Sequence, residues 1–138
     1  LDDTYNASPV SVRAALETVG APRRSRKVVV VLGDMLELGA TTDEAHRDVG
    51  RLVAALPADE LIGLGTATRW ALEAARKAGL SEARHFTTFE DTVAHLLKRL
   101  TPGDLVLVKG SRGMRMERVV DALVARLART GRDRTDRE

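Results

Sequence analysis

The stretch KVVVVLGDMLELG, from Lys27 to Gly39, decides the fold because it joins a buried strand to a long loop. Lys27 to Leu32, KVVVVL, is a continuous and mainly β-branched run, which is typical of a strand covered on both faces. The loop from Gly33 to Gly39 has glycine at both ends and carboxylates at Asp34 and Glu37. Its length after a buried strand indicates a ligand-binding loop. The alternative is that its apolar residues only cover the core.

Helical and strand patterns alternate along the rest of the chain. Apolar spacing predicts helices over Ser11–Val19, Thr41–Leu56, Thr66–Ala78, Phe89–Leu100 and Met116–Leu127. Strands are predicted over Lys27–Leu32, Glu60–Gly63, Arg84–Thr87 and Asp104–Val108. This alternation implies crossover units, so we predict an α/β fold with a mostly parallel sheet and helices on both faces.

Three local patterns add detail to this prediction. Thr41 stands three residues before Glu44, the spacing of a capping box at a helix start. Trp70 falls on the inward face of its predicted helix. The last ten residues, 129–138, alternate charge signs without apolar side chains, so we predict a disordered charged tail.

The composition excludes several classes of function. The chain has 138 residues, a length that fits one domain, and its net charge of +2 is spread among interspersed acidic residues. Few aromatic side chains are available to stack on bases, so we expect no nucleic-acid partner. The absence of cysteine excludes disulfides, thiolate zinc sites and cysteine nucleophiles. No apolar run is long enough to span a membrane, and we expect a cytoplasmic domain.

Ligands of parallel α/β sheets bind beyond the carboxyl ends of the strands, where two further motifs occur. GLGTAT, Gly63 to Thr68, resembles the start of a dinucleotide-binding fingerprint, but Thr68 replaces the third glycine. We therefore interpret it as a plain strand-to-helix turn. In LVKGSRGMRME, a strand is followed by Lys109, Ser111 and Arg112, which offer two cations and a hydroxyl to an anion. The alternative is a solvated basic turn.

No metal site is predicted from the sequence. The histidines do not have the spacing of metal ligands, so His46 is expected on a polar helix face and His85 and His95 in structural roles. The adjacent carboxylates Asp2 and Asp3 would point to opposite faces of a strand, so only one of them can serve a given site.

Four motifs together resemble the Mur ligases. LDDTYNASPVS, VVVVLGDMLELG, AHRDVG and LVKGSRGMRMERVV occur in the order and spacing of that family, over Leu1 to about Leu127. The resemblance implies that residues 1–128 form the C-terminal, Rossmann-like domain, in three layers, and that the chain starts at an interdomain junction. The N-terminal UDP-sugar domain and the central ATPase domain would lie outside this chain, which would be inactive alone.

The resemblance also implies an activity. It is greatest to ligases that join D-alanyl-D-alanine to UDP-N-acetylmuramoyl-tripeptide in peptidoglycan synthesis. In that reaction ATP phosphorylates the tripeptide carboxylate, and the dipeptide amine attacks the acyl phosphate. Mg²⁺ would be held mainly by the central domain, while this domain would bind the dipeptide and close over ATP. The alternatives are a stand-alone nucleotide- or anion-binding module of the same fold and a non-catalytic interaction domain.

Site residues follow from the same resemblance. Asp3 matches the aspartate that hydrogen-bonds the ATP ribose, and Tyr5 and Asn6 match the segment beside it. Thr4 and Ser8 depart from the usual Ser and Asn of that segment. The residues that match the dipeptide side, and are predicted to bind substrate, are Asp34, Met35, Glu37, Lys109, Ser111 and Arg112. Whether Lys109 or Arg112 holds the dipeptide carboxylate stays open.

Overall fold

The computed structural model describes residues 9–20, 27–36, 38–56 and 58–135 of the chain. The strands are β1 (Val28–Gly33), β2 (Glu60–Leu64), β3 (Ala83–Phe86) and β4 (Leu105–Lys109). The helices are α1 (Pro9–Gly20), α2 (Thr42–Ala55), α3 (Thr68–Lys77), α4 (Phe89–Arg99) and α5 (Glu117–Thr135). Short 3-10 turns cover Gly39–Thr41 and Arg112–Met114. Every predicted element is present, and most ends agree within a few residues.

The described strands form one parallel sheet in the order β3-β2-β1-β4. β1 lies between β2 and β4, and Val30 pairs with both Leu61 and Leu107. The predicted α/β fold, with a parallel sheet between helical layers, is confirmed.

Alternate residues of β1 face two separate cores, which explains its unbroken apolar run. Val28, Val30 and Leu32 pack in the cluster that includes residues of α1, α2 and α3. Val29 and Val31 pack in the cluster with residues of α4 and α5. All six residues of the strand are buried. A polar residue at any interior position of β1 would therefore enter one of the two cores.

The helix that follows β1 begins differently from the prediction. Thr41 does not cap α2 with its side chain. Its Oγ1 instead donates to the carbonyl of Leu38 at 2.8 Å, and the Oγ1 of Thr42 donates to the carbonyl of Gly39 at 2.7 Å. The predicted capping box is wrong because a 3-10 turn precedes the helix and its carbonyls take both hydroxyl hydrogens.

Trp70 belongs to the helix surface rather than to either core. Its side chain is only partly buried, and the guanidinium groups of Arg47 and Arg69 lie over its ring at 4.4 Å and 4.9 Å. Such cation–π contacts are electrostatically favourable, and they suit a ring that is partly exposed. The predicted inward position of Trp70 is therefore only partly correct.

The helical backbone of α5 continues to Thr135, past the point where a disordered tail was expected. The turns around Val119 and Leu123 are fixed by packing against the sheet. Extending an existing helix needs no new nucleation, and arginine is a good helix former. These two effects account for a helix that runs into the charged segment.

A buried carboxylate lies at the start of β2. Glu60 is 0% exposed, and the Nε2 of His95 donates to its Oε1 at 2.7 Å. Cationic nitrogens of three further side chains lie within 4 Å of its carboxylate oxygens: those of Lys27, Arg84 and Arg99. The structural role predicted for His95 fits this contact. Three cations and a hydrogen bond offset the loss of hydration that burial imposes on the charge.

Replacing Glu60 should destabilise the fold because the surrounding cations would lose their shared anion. For Glu60→Gln we expect the free energy of unfolding of the chain, measured by urea denaturation, to fall by about 2 kcal/mol. Glu82→Gln is the matched control, since Glu82 pairs with Arg84 and Arg99 but is 43% exposed. The control should change the free energy of unfolding by less than about 1 kcal/mol. Equal effects of the two variants would contradict this account.

A second prediction concerns the contact between α2 and α3. A Cβ atom at Gly50 would overlap the backbone carbonyl of Ala71. Alanine is normally the better residue inside a helix, but this steric conflict should dominate, and we expect Gly50→Ala to lower the free energy of unfolding by about 2 kcal/mol. The exposed neighbour Asp48, changed to Ala, loses a surface ion pair with Arg51 and should alter it by less than about 1 kcal/mol. A stabilised Gly50→Ala variant would show that the helices can separate at no cost.

Candidate functional site

The candidate site lies where the strand order reverses. From β1 the chain moves outward to β2 and β3, and then returns to place β4 on the other side of β1. The carboxyl ends of β1 and β4 are level, since Leu32 pairs with Lys109. Crevices at such reversal points are the usual ligand sites of open parallel sheets. The loop from Gly33 to Gly39 and the turn that follows Lys109 flank this one.

Asp34 joins the end of β1 to the start of α3. Its side chain is buried, and its two carboxylate oxygens accept hydrogen bonds from the backbone N–H groups of Thr66 at 3.0 Å and Thr68 at 2.9 Å. Gly65 has a φ of 125°, and a Cβ there would lie 2.6 Å from the Asp34 carboxylate. The turn GLGTAT thus uses these N–H groups to hold Asp34, which agrees with its interpretation as a plain turn.

Two reciprocal hydrogen bonds fix the β1 loop to the β4 turn. The backbone N–H of Ser111 donates to the carbonyl of Asp34 at 3.1 Å. In return, the N–H of Leu36 donates to the Oγ of Ser111 at 2.6 Å. Ser111 therefore contacts the loop through both its backbone and its side chain, and the two segments cannot move independently.

Met35 is anchored to α2 through His46. The side chain of Met35 is buried, and its N–H donates to the Nε2 of His46 at 3.0 Å. The Nδ1 of His46 lies 2.6 Å from the carbonyl of Thr42. Sequence reasoning missed this residue: His46 is 0% exposed, and the polar-face prediction is wrong.

The sequence signal that was missed is a set of buried positions along one face of α2, one of which is a glycine. His46 shares its face of α2 with Val49, Gly50 and Val53, all of which are buried. Gly50 has no apolar side chain, so the sequence pattern does not indicate that this face of the helix is buried, although the motif AHRDVG contains both His46 and Gly50. Gly50 is buried because α3 approaches it closely at Ala71.

The two candidate cations differ in exposure. The side chain of Lys109 is 1% exposed, whereas Arg112 is exposed on its 3-10 turn. Both residues make polar or electrostatic contacts inside the chain. An exposed guanidinium beside backbone that is fixed by hydrogen bonds is suited to hold a small anionic ligand, because its planar fork matches a carboxylate.

The structure thus brings Asp34, Met35 and Ser111 into one hydrogen-bonded junction, with Lys109 and Arg112 beside Ser111 in the chain. Asp3, Tyr5, Asn6 and Glu37 lie outside the described residues. Within the part of the chain that the structure describes, no group of three His, Asp or Glu side chains could hold a metal ion.

Comparison with known proteins gives this geometry a family. The Mur ligase, glutamate ligase domain family matches residues 1–112. The UDP-N-acetylmuramoyl-tripeptide–D-alanyl-D-alanine ligase of Bacillus subtilis is 33% identical over 90% of this chain, which spans 27% of that protein. The ligase of the same name from Mycobacterium tuberculosis H37Rv is 35% identical over 91% of this chain, which spans 28% of it.

Solved structures agree with these relatives. The MurF ligase of Thermotoga maritima, in complex with ADP, superposes with a TM-score of 0.76 at 28% identity, over 94% of this chain and 29% of that one. MurF of Acinetobacter baumannii superposes with a TM-score of 0.76 at 35% identity, over 88% of this chain and 27% of that one. The chain thus spans less than a third of the length of these relatives. The resemblance predicted from the four motifs is confirmed, and the chain belongs to the Mur ligase family as its glutamate ligase domain.

Proposed function

We propose that this chain is the C-terminal domain, residues 1–128, of a ligase that joins D-alanyl-D-alanine to UDP-N-acetylmuramoyl-tripeptide in peptidoglycan synthesis. The observation that carries the proposal is the shared name of the relatives from Bacillus subtilis and Mycobacterium tuberculosis, which match over about nine-tenths of the chain. The amide bond would form when the dipeptide amine attacks an acyl phosphate made with ATP. The chain alone would be inactive, because the other two domains supply the phosphate loop.

On the dipeptide side, we assign Arg112 to the carboxylate of D-alanyl-D-alanine. Arg112 is exposed, whereas the buried Lys109 would have to leave its surroundings to reach a ligand. The carboxylate of Asp34 already accepts hydrogen bonds from two backbone N–H groups. We therefore assign Asp34 an indirect role, in which it shapes the loop that contacts the substrate. Met35 and Glu37 belong to that loop, and Ser111 holds it against the turn that bears Arg112.

On the nucleotide side, we assign Asp3, Tyr5 and Asn6 to ATP, with Asp3 on the ribose. The complex of the Thermotoga maritima relative with ADP supports nucleotide binding by the whole ligase. The family resemblance assigns Mg²⁺ mainly to the central domain, and the described residues of this chain offer no cluster of metal ligands. None of the described helices is long and apolar enough to cross a membrane. We propose a cytoplasmic location, where ATP is available.

The complete protein tests this proposal. The reading frame upstream of Leu1 is sequenced, and the whole protein is purified and supplied with ATP, UDP-N-acetylmuramoyl-tripeptide and D-alanyl-D-alanine. We expect phosphate release that requires both peptides, and a product heavier by one dipeptide unit in mass spectrometry. D-glutamate or L-alanine in place of the dipeptide should not support release. A reading frame without a G-K-[ST] phosphate loop would overturn the proposal in favour of a stand-alone anion-binding module.

Arg112→Ala in the complete ligase should weaken dipeptide binding because a charge-assisted hydrogen bond to the carboxylate is lost. We expect the KM for D-alanyl-D-alanine to rise about 10- to 100-fold, with the KM for ATP unchanged. Arg129→Ala removes the same charge from an exposed position near the end of α5 and should leave both constants unchanged. A large rise in the KM for ATP would instead place Arg112 on phosphate.

Asp3→Ala should act on the nucleotide because the ribose would lose a carboxylate acceptor. We expect the KM for ATP to rise about tenfold while the KM for the dipeptide stays the same. Asp2→Ala is the matched control, since it removes the same charge from the neighbouring residue while the ribose contact is assigned to Asp3. If both variants kept normal ATP kinetics, the assignment of Asp3 would be wrong.

A further inference from the structure

We propose that His46 is a positioning residue for the dipeptide site: as a neutral imidazole it holds the first part of the loop after β1, Gly33 to Leu36, in its binding conformation. This rests on the proposed function, because that function places the loop beside the dipeptide. The contact that carries the inference is the hydrogen bond from the Met35 N–H to the His46 Nε2, at 3.0 Å.

The two contacts of the ring identify which of its nitrogens carries the hydrogen. Nε2 accepts the Met35 N–H and therefore carries no hydrogen, so the proton of the ring lies on Nδ1. Nδ1 is 2.6 Å from the carbonyl of Thr42, one helical turn earlier in α2, and donates to it. His46 thus accepts a hydrogen bond from the loop at Nε2 and is oriented by its own helix through Nδ1. Histidines that bind metals are oriented in the same way, by a hydrogen bond from the second ring nitrogen.

Packing alone does not explain a histidine at this position. His46 is 0% exposed on a helix whose other buried residues carry no polar side chain, where a leucine would fill space without burying a polar group. A leucine would, however, leave the Met35 N–H buried without an acceptor, and an unsatisfied buried donor lowers the free energy of unfolding. The polar ring therefore serves the loop rather than the core.

This bond is a separate attachment of the loop, because the other anchors lie at other points; one of them joins the Asp34 carboxylate to the N–H groups of Thr66 and Thr68 beside α3. The Asp34 carbonyl and the Leu36 N–H both bond to Ser111, which belongs to the partner turn of the site. Those two bonds hold loop and turn together as a pair. His46 connects the residue between them, Met35, to α2, and so gives the pair an attachment to the helical layer in addition to that of Asp34 at α3.

Two amide substitutions separate the two functions of the ring in the complete ligase. The amide of Gln reaches the place of Nε2 and can still accept the Met35 N–H, whereas the shorter Asn reaches only the place of Nδ1. For His46→Asn we expect the KM for D-alanyl-D-alanine to rise about tenfold with the KM for ATP unchanged, and for His46→Gln a rise of less than about threefold. Val49→Ala, a core deletion in the same helix, should lower stability without selective change in the KM for the dipeptide.

A second measurement on the chain itself does not depend on activity. We expect ¹⁵N shifts of the wild-type His46 ring that report a protonated Nδ1, and exchange of the Met35 amide hydrogen that is at least about tenfold faster in His46→Asn than in His46→Gln. A protonated Nε2, or equal amide exchange in the two variants, would overturn the contact. Equal dipeptide KM values in the two variants, with the exchange difference present, would overturn the positioning role. Absence of ligase activity in the wild type would overturn the proposed function, while the exchange data would still decide the contact.

Discussion

The hydrogen bonds of Asp34 are the constraint on which the loops at the carboxyl ends of the strands depend. Its carboxylate accepts hydrogen bonds from the N–H groups of Thr66, in the turn after β2, and of Thr68, the first residue of α3, and its carbonyl accepts one from Ser111 after β4, so one residue connects the ends of three neighbouring strands. The N-terminal end of a helix favours a negative charge, which offsets the cost of burying the side chain. Because both carboxylate oxygens accept hydrogen bonds from backbone N–H groups, the junction has one defined geometry, and it positions the loops around it.

The opposite edge of the sheet solves a similar problem in a different way. Glu60, at the start of β2, is also buried, but its partners are the long side chains of Lys27, Arg84 and Arg99 together with His95. Such side chains are partly exposed and can adjust, whereas the backbone partners of Asp34 cannot. The comparison indicates why ligand chemistry is expected at the Asp34 edge: backbone hydrogen bonds there hold the loops in one geometry, whereas the contacts described at Glu60 balance a buried charge.

Most of the fold could be predicted from the sequence because apolar periodicity records burial directly. The unbroken run of β1 predicted a strand covered on both faces, and its alternate residues do enter two cores. The candidate site was predictable only as a set of loops. His46 was missed because its helical row is completed by Gly50, whose burial results from contact with α3 and not from hydrophobicity. The cap of α3 was unpredictable for a related reason, since Asp34 lies 32 residues before Thr66.

The same junction bears on how the proposed ligase would select its substrate. A ligand that binds a preformed site does not have to order the protein, so less of the binding free energy is lost to conformational entropy. The loop and turn are tied to each other through Ser111, to α3 through Asp34 and to α2 through His46. Movement of this domain over a nucleotide would therefore carry the dipeptide site as one rigid body. Selection of the dipeptide would then rest on the fixed spacing between loop and turn, and closure would only bring the selected amine to the reaction.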